Sequence, residues 1–296
     1  MASRKPIDTT NASASAAEAA HQRPTNQSHI YNNGMALPFH CCYMRVFERN
    51  RMIQTYRIAD FCVRLENAPA TIAARMADYR IEPVAEAAVD LYIDAAAVST
   101  AELEKNAAKE GISSKTELLF LEIYRRICNY ALAHNAFLMH CAVIEYDGRG
   151  YAFSAPSGTG KTTHIRLWQK AFGAGRVTVV NGDKPILRLL DGVFYAYGTP
   201  WCGKEGYNKN TRVPLAGLCF VTRGAENRIR PMSADEAIPH LFSQIMVSDS
   251  PDLARQMELA DALLGKVPCY LLACNMDPEA AEVAYRGMCK GGADCD

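Results

Sequence analysis

The sequence predicts an α/β fold in which a mixed β-sheet surrounds a glycine-rich loop, with a smaller N-terminal α+β region packed against it. Three features predict this class: apolar runs of strand length, a long amphipathic helical run, and closely spaced glycines between a strand and a helix. The chain has 296 residues, of which 49% are hydrophobic and 22% are charged. It can therefore bury a sizeable core as one large domain or two small ones.

The charge balance and the cysteine content exclude several classes of protein. The 32 basic residues equal the 32 acidic ones, whereas a general nucleic-acid-binding protein favours a basic excess. No apolar run approaches the roughly 20 residues that span a bilayer, and no secretory signal is recognisable. The eleven cysteines are odd in number and contain no CxxC pair, which predicts reduced thiols. We therefore expect a cytoplasmic protein with no membrane or nucleic-acid role.

The first 134 residues divide into a leader and an α+β region. Residues 1–30 are rich in Ala, Ser, Thr, Asn and Gln without apolar periodicity, which predicts a disordered leader. Residues 31–134 form the α+β region, in which the rough alternation over 56–65 predicts a strand. Ser114 starts a capping-box pattern, and apolar residues then recur every four positions, which predicts a helix over 115–134.

Residues 135–290 are predicted to form the second region. The apolar run 137–144 has strand length, Asp147-Gly148 makes a turn, and a return strand begins at about 151. This hairpin leads directly into the glycine-rich segment.

Residues 155–163 read Ala-Pro-Ser-Gly-Thr-Gly-Lys-Thr-Thr and match the Walker A pattern from Gly160 onward, with Ala155 in place of the first glycine. The glycines let backbone N–H groups point at phosphate oxygens, the following helix adds its positive end, and Lys161 adds a cation. The Thr162 hydroxyl suits Mg²⁺. A turn that only caps a helix would explain the glycines but not Lys161 and the threonines. The predicted ATP-binding residues are Ser157, Gly158, Thr159, Gly160, Lys161, Thr162 and Thr163.

Asp183 follows the β-branched run 177–180, which predicts a buried strand. A carboxylate at the C-terminal end of such a strand lies where α/β sheets bind ligands. Asp183 is therefore a candidate Mg²⁺ ligand together with Thr162, and a candidate acceptor of a hydroxyl proton. The alternative is an ordinary turn aspartate between glycine and proline neighbours.

These residues resemble a known family. His140 on its strand, the Ser157–Thr163 loop and the strand that ends in acid resemble the catalytic domain of HPr kinase/phosphorylase and its relatives, which include kinases of serine in ribosomally made peptides. The loop is more distantly similar to that of ATP-dependent phosphoenolpyruvate carboxykinase. The resemblance covers 137–225 and extends thinly to about 288. It implies a fold of the HPr kinase/phosphoenolpyruvate carboxykinase type, while the family's N-terminal sensor domain is not recognisable.

The resemblance also implies roles for single residues. His140 matches a strand histidine close to the phosphates, although a core histidine is the alternative. Asp183 matches one of two adjacent acids, and the other position is Gly182. A single carboxylate would then serve as both metal ligand and base, which puts phosphorolysis in doubt. His164, on the helix after the loop, is expected to face solvent.

A second unusual loop, residues 198–206, combines three glycines, a proline, a tryptophan and a Lys-Glu pair. Lys204 is the candidate for neutralising charge on a transferred group, and Glu205 is a candidate substitute for the missing acid. The alternative is an ordinary loop with a solvated charge pair. Related kinases carry a similar Gly-Thr-Pro-Trp loop. Arg223 is expected to be an exposed turn arginine.

Together, the motifs and the resemblance predict an ATP-dependent, Mg²⁺-requiring kinase that transfers a phosphoryl group to a hydroxyl. A serine of a protein or peptide is the favoured acceptor. Two alternatives stay open: a small-molecule kinase or carboxykinase-like enzyme, and a non-catalytic nucleotide-binding partner in a peptide-modification system. The related kinases are often hexamers, so a homo-oligomer is among the expected states.

Overall fold

Two β-sheets of different size carry the fold, and helices cover them. A computed structural model describes residues 52–245 and 252–290, so the predicted leader at 1–30 lies outside the described residues. The strands are β1 (Ile53–Ile58), β2 (Phe61–Glu66), β3 (Arg80–Ile81), β4 (Leu91–Asp94), β5 (Ala136–Leu138), β6 (Cys141–Tyr146), β7 (Arg149–Ser154), β8 (Val177–Asn181), β9 (Ile186–Leu190), β10 (Val193–Tyr197), β11 (Arg212–Arg223), β12 (Arg228–Met232) and β13 (Cys269–Cys274). The helices are α1 (Ala70–Arg75), α2 (Thr100–Glu110), α3 (Lys115–Leu132), α4 (Lys161–Phe172), α5 (Ala234–Phe242), α6 (Leu253–Lys266) and α7 (Glu279–Lys290).

The smaller sheet has the strand order β3-β1-β2-β4. The sequence predicted one strand over 56–65, and this prediction is wrong, because the segment is part of a hairpin formed by β1 and β2. Its turn consists of Ala59 and Asp60, whose φ angles of 51° and 67° lie in the left-handed region that two-residue hairpin turns require. Neither residue is glycine or asparagine, so the turn lacked its usual sequence signal.

Helix α3 connects the two sheets, and its existence and start were correctly predicted. The Ser114 hydroxyl accepts a hydrogen bond from the backbone N–H of Glu117, which caps the helix. The apolar side of α3 is buried in one core that also contains residues of the small sheet, such as Tyr56, and of the large sheet, such as Ile186. The helix therefore packs against both sheets at once.

The larger sheet mixes parallel and antiparallel pairs, which confirms the predicted mixed α/β class. Its strand order is β5-β9-β10-β11-β7-β6-β8, and β13 pairs with β11 and β12. Strand β11 is parallel to both β7 and β13, whereas β6 is antiparallel to β7 and β8. This topology brings the end of β7, the start of β6 and the end of β8 to the same edge of the sheet. The predicted site residues follow or precede these three strand ends.

The structure also tests the two apolar runs of this region that were predicted to be strands. The strand predicted at 137–144 is interrupted at Met139-His140, where the chain passes from pairing with β9 to pairing with β7. The strand predicted at 177–180 is confirmed as β8. Helix α7, which carries Cys289, was not predicted. Within the described ranges, no helix is long and apolar enough to cross a membrane.

Candidate functional site

A glycine loop, residues 155–160, connects β7 to α4. Gly158 and Gly160 have φ angles of 77° and 126°, a region that glycine adopts without strain. The backbone N–H groups of Gly158, Gly160 and Lys161 donate to no acceptor within the described chain. Free N–H groups at the N-terminus of a helix form an arrangement that binds anions. Around them, Ser157 is exposed and Thr159, Thr162 and Thr163 are half-buried.

Two side-chain cations, those of Lys161 and Arg223, donate hydrogen bonds to backbone oxygens of the glycine loop. The buried Lys161 ammonium donates to the backbone oxygen of Ala155 at 2.8 Å. Burial lowers the pKa of Lys161, and the charge of Asp183 opposes this shift, so the ammonium lies within electrostatic reach of that carboxylate. Arg223 is exposed, as predicted, but it lies at the end of β11 and not in a turn. Its guanidinium donates to the backbone oxygen of Gly158 at 2.8 Å.

Asp183 lies at the same sheet edge, between two donors. The Nε2 of His140 lies 3.0 Å from Asp183 Oδ1, and the Nζ of Lys184 lies 3.1 Å from Oδ2. Burial by itself would raise the pKa of Asp183, but the hydrogen bond with His140 and the Lys184 charge outweigh it and lower the pKa to about 2. The carboxylate is therefore ionised at neutral pH.

His140 is fixed by contacts on both of its ring nitrogens and on its backbone. Its Nδ1 lies 3.0 Å from the Oε1 of Gln244, its backbone N–H donates to the Gln244 oxygen at 2.8 Å, and its own oxygen accepts from the Ser154 hydroxyl at 3.1 Å. Each ring nitrogen therefore faces one side-chain oxygen, on Gln244 and on Asp183. The sequence did not identify Gln244, which lies 104 positions from His140 and carries no motif.

Asn181 holds the turn that carries Asp183, and sequence reasoning missed it as well. Its fully buried side-chain oxygen accepts the N–H groups of Asp183 at 2.9 Å and Lys184 at 2.7 Å. Its amide group donates to the backbone and hydroxyl oxygens of Thr199, both at 3.1 Å. The Asn-Gly-Asp sequence is a turn signal that could have indicated this local contact, but not the contact with Thr199.

The second loop separates into two parts with different surroundings. Thr199 and Trp201 are buried, and Trp201 stacks on Phe120 and Tyr124 of α3, so this part supports the fold beneath Asp183. The turn that follows is exposed and includes Lys204 and Glu205, and Lys204 makes no hydrogen bond or ion pair with a described residue. The structure thus brings His140, Lys161 and Asp183 together and leaves the Lys204 side chain in solvent.

The surroundings of two further positions bear on the sequence predictions. A Cβ at Gly182 would lie 3.1 Å from the Cβ of Tyr207 and 3.2 Å from the Cys202 oxygen, so these two residues fill the space that the side chain of an acid at position 182 would enter. His164 was expected to face solvent, and this prediction is wrong. It is 2% exposed, and its Nε2 accepts from the Trp168 indole at 3.0 Å, because position 164 lies on the inner face of α4.

The donor set fits a nucleotide phosphate group and a magnesium ion. Free amides, a lysine and a helix N-terminus are the donors that phosphate oxygens require. The hydroxyl of Thr162 and the ionised Asp183 are oxygen ligands of the kind Mg²⁺ takes, which it usually completes with phosphate and water oxygens. Among the described residues, no group of three or more His, Cys, Asp and Glu side chains that could hold a metal occurs.

Comparisons with known proteins do not identify the function of this chain. No family model matches the chain, and no curated protein matches it. Among solved structures, the HPr(Ser) kinase/phosphatase from Coxiella burnetii is similar over 52% of this chain and 93% of that chain, with 11% identity and a TM-score of 0.31. A likeness at this level leaves the function to be judged from the site itself.

Proposed function

We propose that this protein is an ATP-dependent kinase that transfers the γ-phosphoryl group to a hydroxyl, with a serine of a protein or peptide as the favoured acceptor. One observation carries the proposal: the free amides of the glycine loop and Lys161 share a sheet edge with the ionised Asp183. Phosphoryl transfer depends on positioning and charge neutralisation more than on covalent chemistry by the protein. The groups at this sheet edge would supply both the positioning and the charge neutralisation.

The proposal assigns a role to each of these groups. The amides of Gly158, Gly160 and Lys161 bind phosphate oxygens, and the Lys161 ammonium moves from the Ala155 oxygen to the β- and γ-phosphates. Thr162 and Asp183 hold Mg²⁺, which when bound draws negative charge away from the transferred group. His140 orients Asp183 through the 3.0 Å contact.

In the transfer step, the acceptor hydroxyl oxygen forms a bond to the γ-phosphorus. The bond between that phosphorus and the bridging oxygen breaks, and ADP leaves with the electron pair. The hydroxyl proton passes to Asp183. Because the pKa of Asp183 is lowered to about 2, the carboxylate is a weak base and aligns the hydroxyl until the new bond has largely formed. Such late proton transfer suits the loose transition state of phosphoryl transfer.

The experiment compares Lys161→Met with Lys170→Met, an exposed lysine on the same helix. Calorimetry with ATP and Mg²⁺ should show that Lys161→Met weakens binding by roughly 10- to 100-fold, the value of one charged hydrogen bond, while Lys170→Met binds like the wild type. Transfer of label from γ-labelled ATP to serine peptides or to water should be lost in Asp183→Ala.

A wild-type chain that binds no ATP would overturn the proposal. A specific observation favours binding without transfer as the second candidate: Asp183 is held by two donors and has Gly182 beside it in place of a second acid. Tight ATP binding with no transfer to peptide, small alcohol or water would support that non-catalytic function.

A further inference from the structure

The main chain of Lys184 is held by three buried side chains. Its N–H donates to the Asn181 side chain at 2.7 Å, and its backbone oxygen accepts from the hydroxyls of Thr199 at 2.7 Å and Tyr124 at 2.9 Å. Asn181 and Thr199 are 0% exposed and Tyr124 is 2% exposed. These residues come from the end of β8, the loop after β10, and α3. Three distant parts of the chain therefore meet at this one residue.

The side chain of Lys184 is half-exposed and faces the site. Its ammonium lies 3.1 Å from Asp183, and its charge contributes to lowering the pKa of Lys161, so the two ammonium groups are close enough to repel each other. A half-exposed ion pair between adjacent residues adds little stability. The ion pair alone therefore gives little reason for the Lys184 ammonium to lie beside Asp183.

We propose that Lys184 is a catalytic residue of the proposed phosphoryl transfer, on which this inference rests: its ammonium binds an oxygen of the phosphoryl group while that group moves from ADP to the acceptor. This is the role for which the sequence favoured Lys204. Lys184 donates hydrogen bonds and gives up no proton, so the bonds made and broken are those of the transfer itself. A fixed cation at the position where charge shifts stabilises the transition state more than the ground state.

Lys204 provides the contrast that makes the assignment specific. It is exposed on a turn and has no bond to a described residue, so substrate binding would have to order it. Lys184 is already in place, with its main chain fixed on both sides and its ammonium beside Asp183. Of the two lysines, only Lys184 is preorganised.

The test uses the full chain with ATP and Mg²⁺, and measures ATP hydrolysis, in which water is the acceptor. Lys184→Met should lower kcat about 100-fold, as expected for the loss of one preorganised charge donor, with a much smaller change in KM for ATP. Lys184→Arg should restore part of the rate, and Lys204→Met should hydrolyse ATP at close to the wild-type rate. Unfolding midpoints of all variants confirm that each is folded.

Two further measurements separate a direct role from an effect through Asp183, whose other neighbours are His140 and Lys161. The first is kcat for ATP hydrolysis measured across pH 6.5 to 8. The 100-fold loss should persist at each pH in this range. Calorimetry with ADP and orthovanadate, an analogue of the group in transfer, should show a matching loss of affinity in Lys184→Met.

The possible failures are distinguishable. If the wild type binds ATP and hydrolyses it, but Lys184→Met matches the wild type in kcat or binds ADP and vanadate equally well, the inference fails and the kinase proposal stands. If Lys204→Met lowers kcat and Lys184→Met does not, the inference also fails and the kinase proposal stands. If the wild type binds no ATP, both proposals fall together.

Discussion

At the scale of single residues, Asn181 determines where the reactive groups of the site lie. Its side chain forms four hydrogen bonds, two to the N–H groups of Asp183 and Lys184 and two to Thr199. A buried polar side chain is costly unless its groups are bonded, and all of the bonds of Asn181 serve this turn. The local turn could be predicted from Asn-Gly-Asp, whereas the contact with Thr199 depends on tertiary folding.

We therefore expect Asn181→Ala to destabilise the protein as well as to displace Asp183. The change leaves two backbone N–H groups without their acceptor, which costs about 2–4 kcal/mol in the free energy of unfolding. Asn210→Ala is the matched control, because that exposed amide makes only a hydrogen bond to the Asp78 oxygen. Urea unfolding measures both variants, and equal small losses would contradict the role given to Asn181.

At the scale of elements, the helices were easier to predict than the breaks between strands. Helices α3 and α4 carry their own apolar periodicity, and α3 also carries a serine cap. The β1–β2 turn and the interruption before β6 fall within runs whose pattern is the same on both sides, so nothing local marks them. The sequence also did not reveal that His164 is buried. Histidine is less often buried than the apolar residues, and nothing local marks this one as part of the inward face of α4.

Helix α4 should make the stability of the protein depend on pH through His164. Burial lowers the pKa of His164 from 6.5 to about 4 in the folded state. The folded state therefore prefers the neutral imidazole, and the stabilising contribution is complete above pH 6.5. It is lost as the pH falls from 6.5 to about 4, by roughly 3 kcal/mol in all.

His164→Gln tests this expectation, because glutamine retains an oxygen acceptor for the Trp168 indole but does not titrate. The free energy of unfolding, measured in urea at pH 7.5 and pH 5, should fall with pH more steeply in the wild type than in His164→Gln. His134→Gln, which changes an exposed histidine, should behave like the wild type. Parallel losses in all three proteins would show that other groups cause the pH dependence.

At the scale of the whole molecule, the site is assembled from parts that are far apart in sequence. His140 meets Gln244 across 104 positions, and the Trp201 indole donates to the Phe120 oxygen across 81. The sequence predicted the glycine loop and Asp183 because each is a local signal, but it could not predict such pairs. The boundary at 134/135 stays a prediction, and one core contains α3, the small sheet and residues of β5, β9 and β10.

This shared core leads to a prediction about cooperativity. The chain has two tryptophans, Trp201 in the core around α3 and Trp168 in the core beneath α4. The large sheet contributes strands to both cores, so loss of either one exposes apolar surface of that sheet. We expect unfolding to be a single transition that both tryptophans report at the same denaturant concentration.

Two variants with one tryptophan each provide the measurement. Trp168→Phe leaves fluorescence only from Trp201, and Trp201→Phe leaves it only from Trp168. In each variant, the fluorescence midpoint should coincide with the midpoint from far-ultraviolet circular dichroism, which follows all the helices and strands together. If the Trp201 signal changed well before the circular dichroism, the core around α3 would unfold on its own. The turn that carries Asp183 would then lose its contacts with Thr199 and Tyr124 before the rest of the protein unfolded.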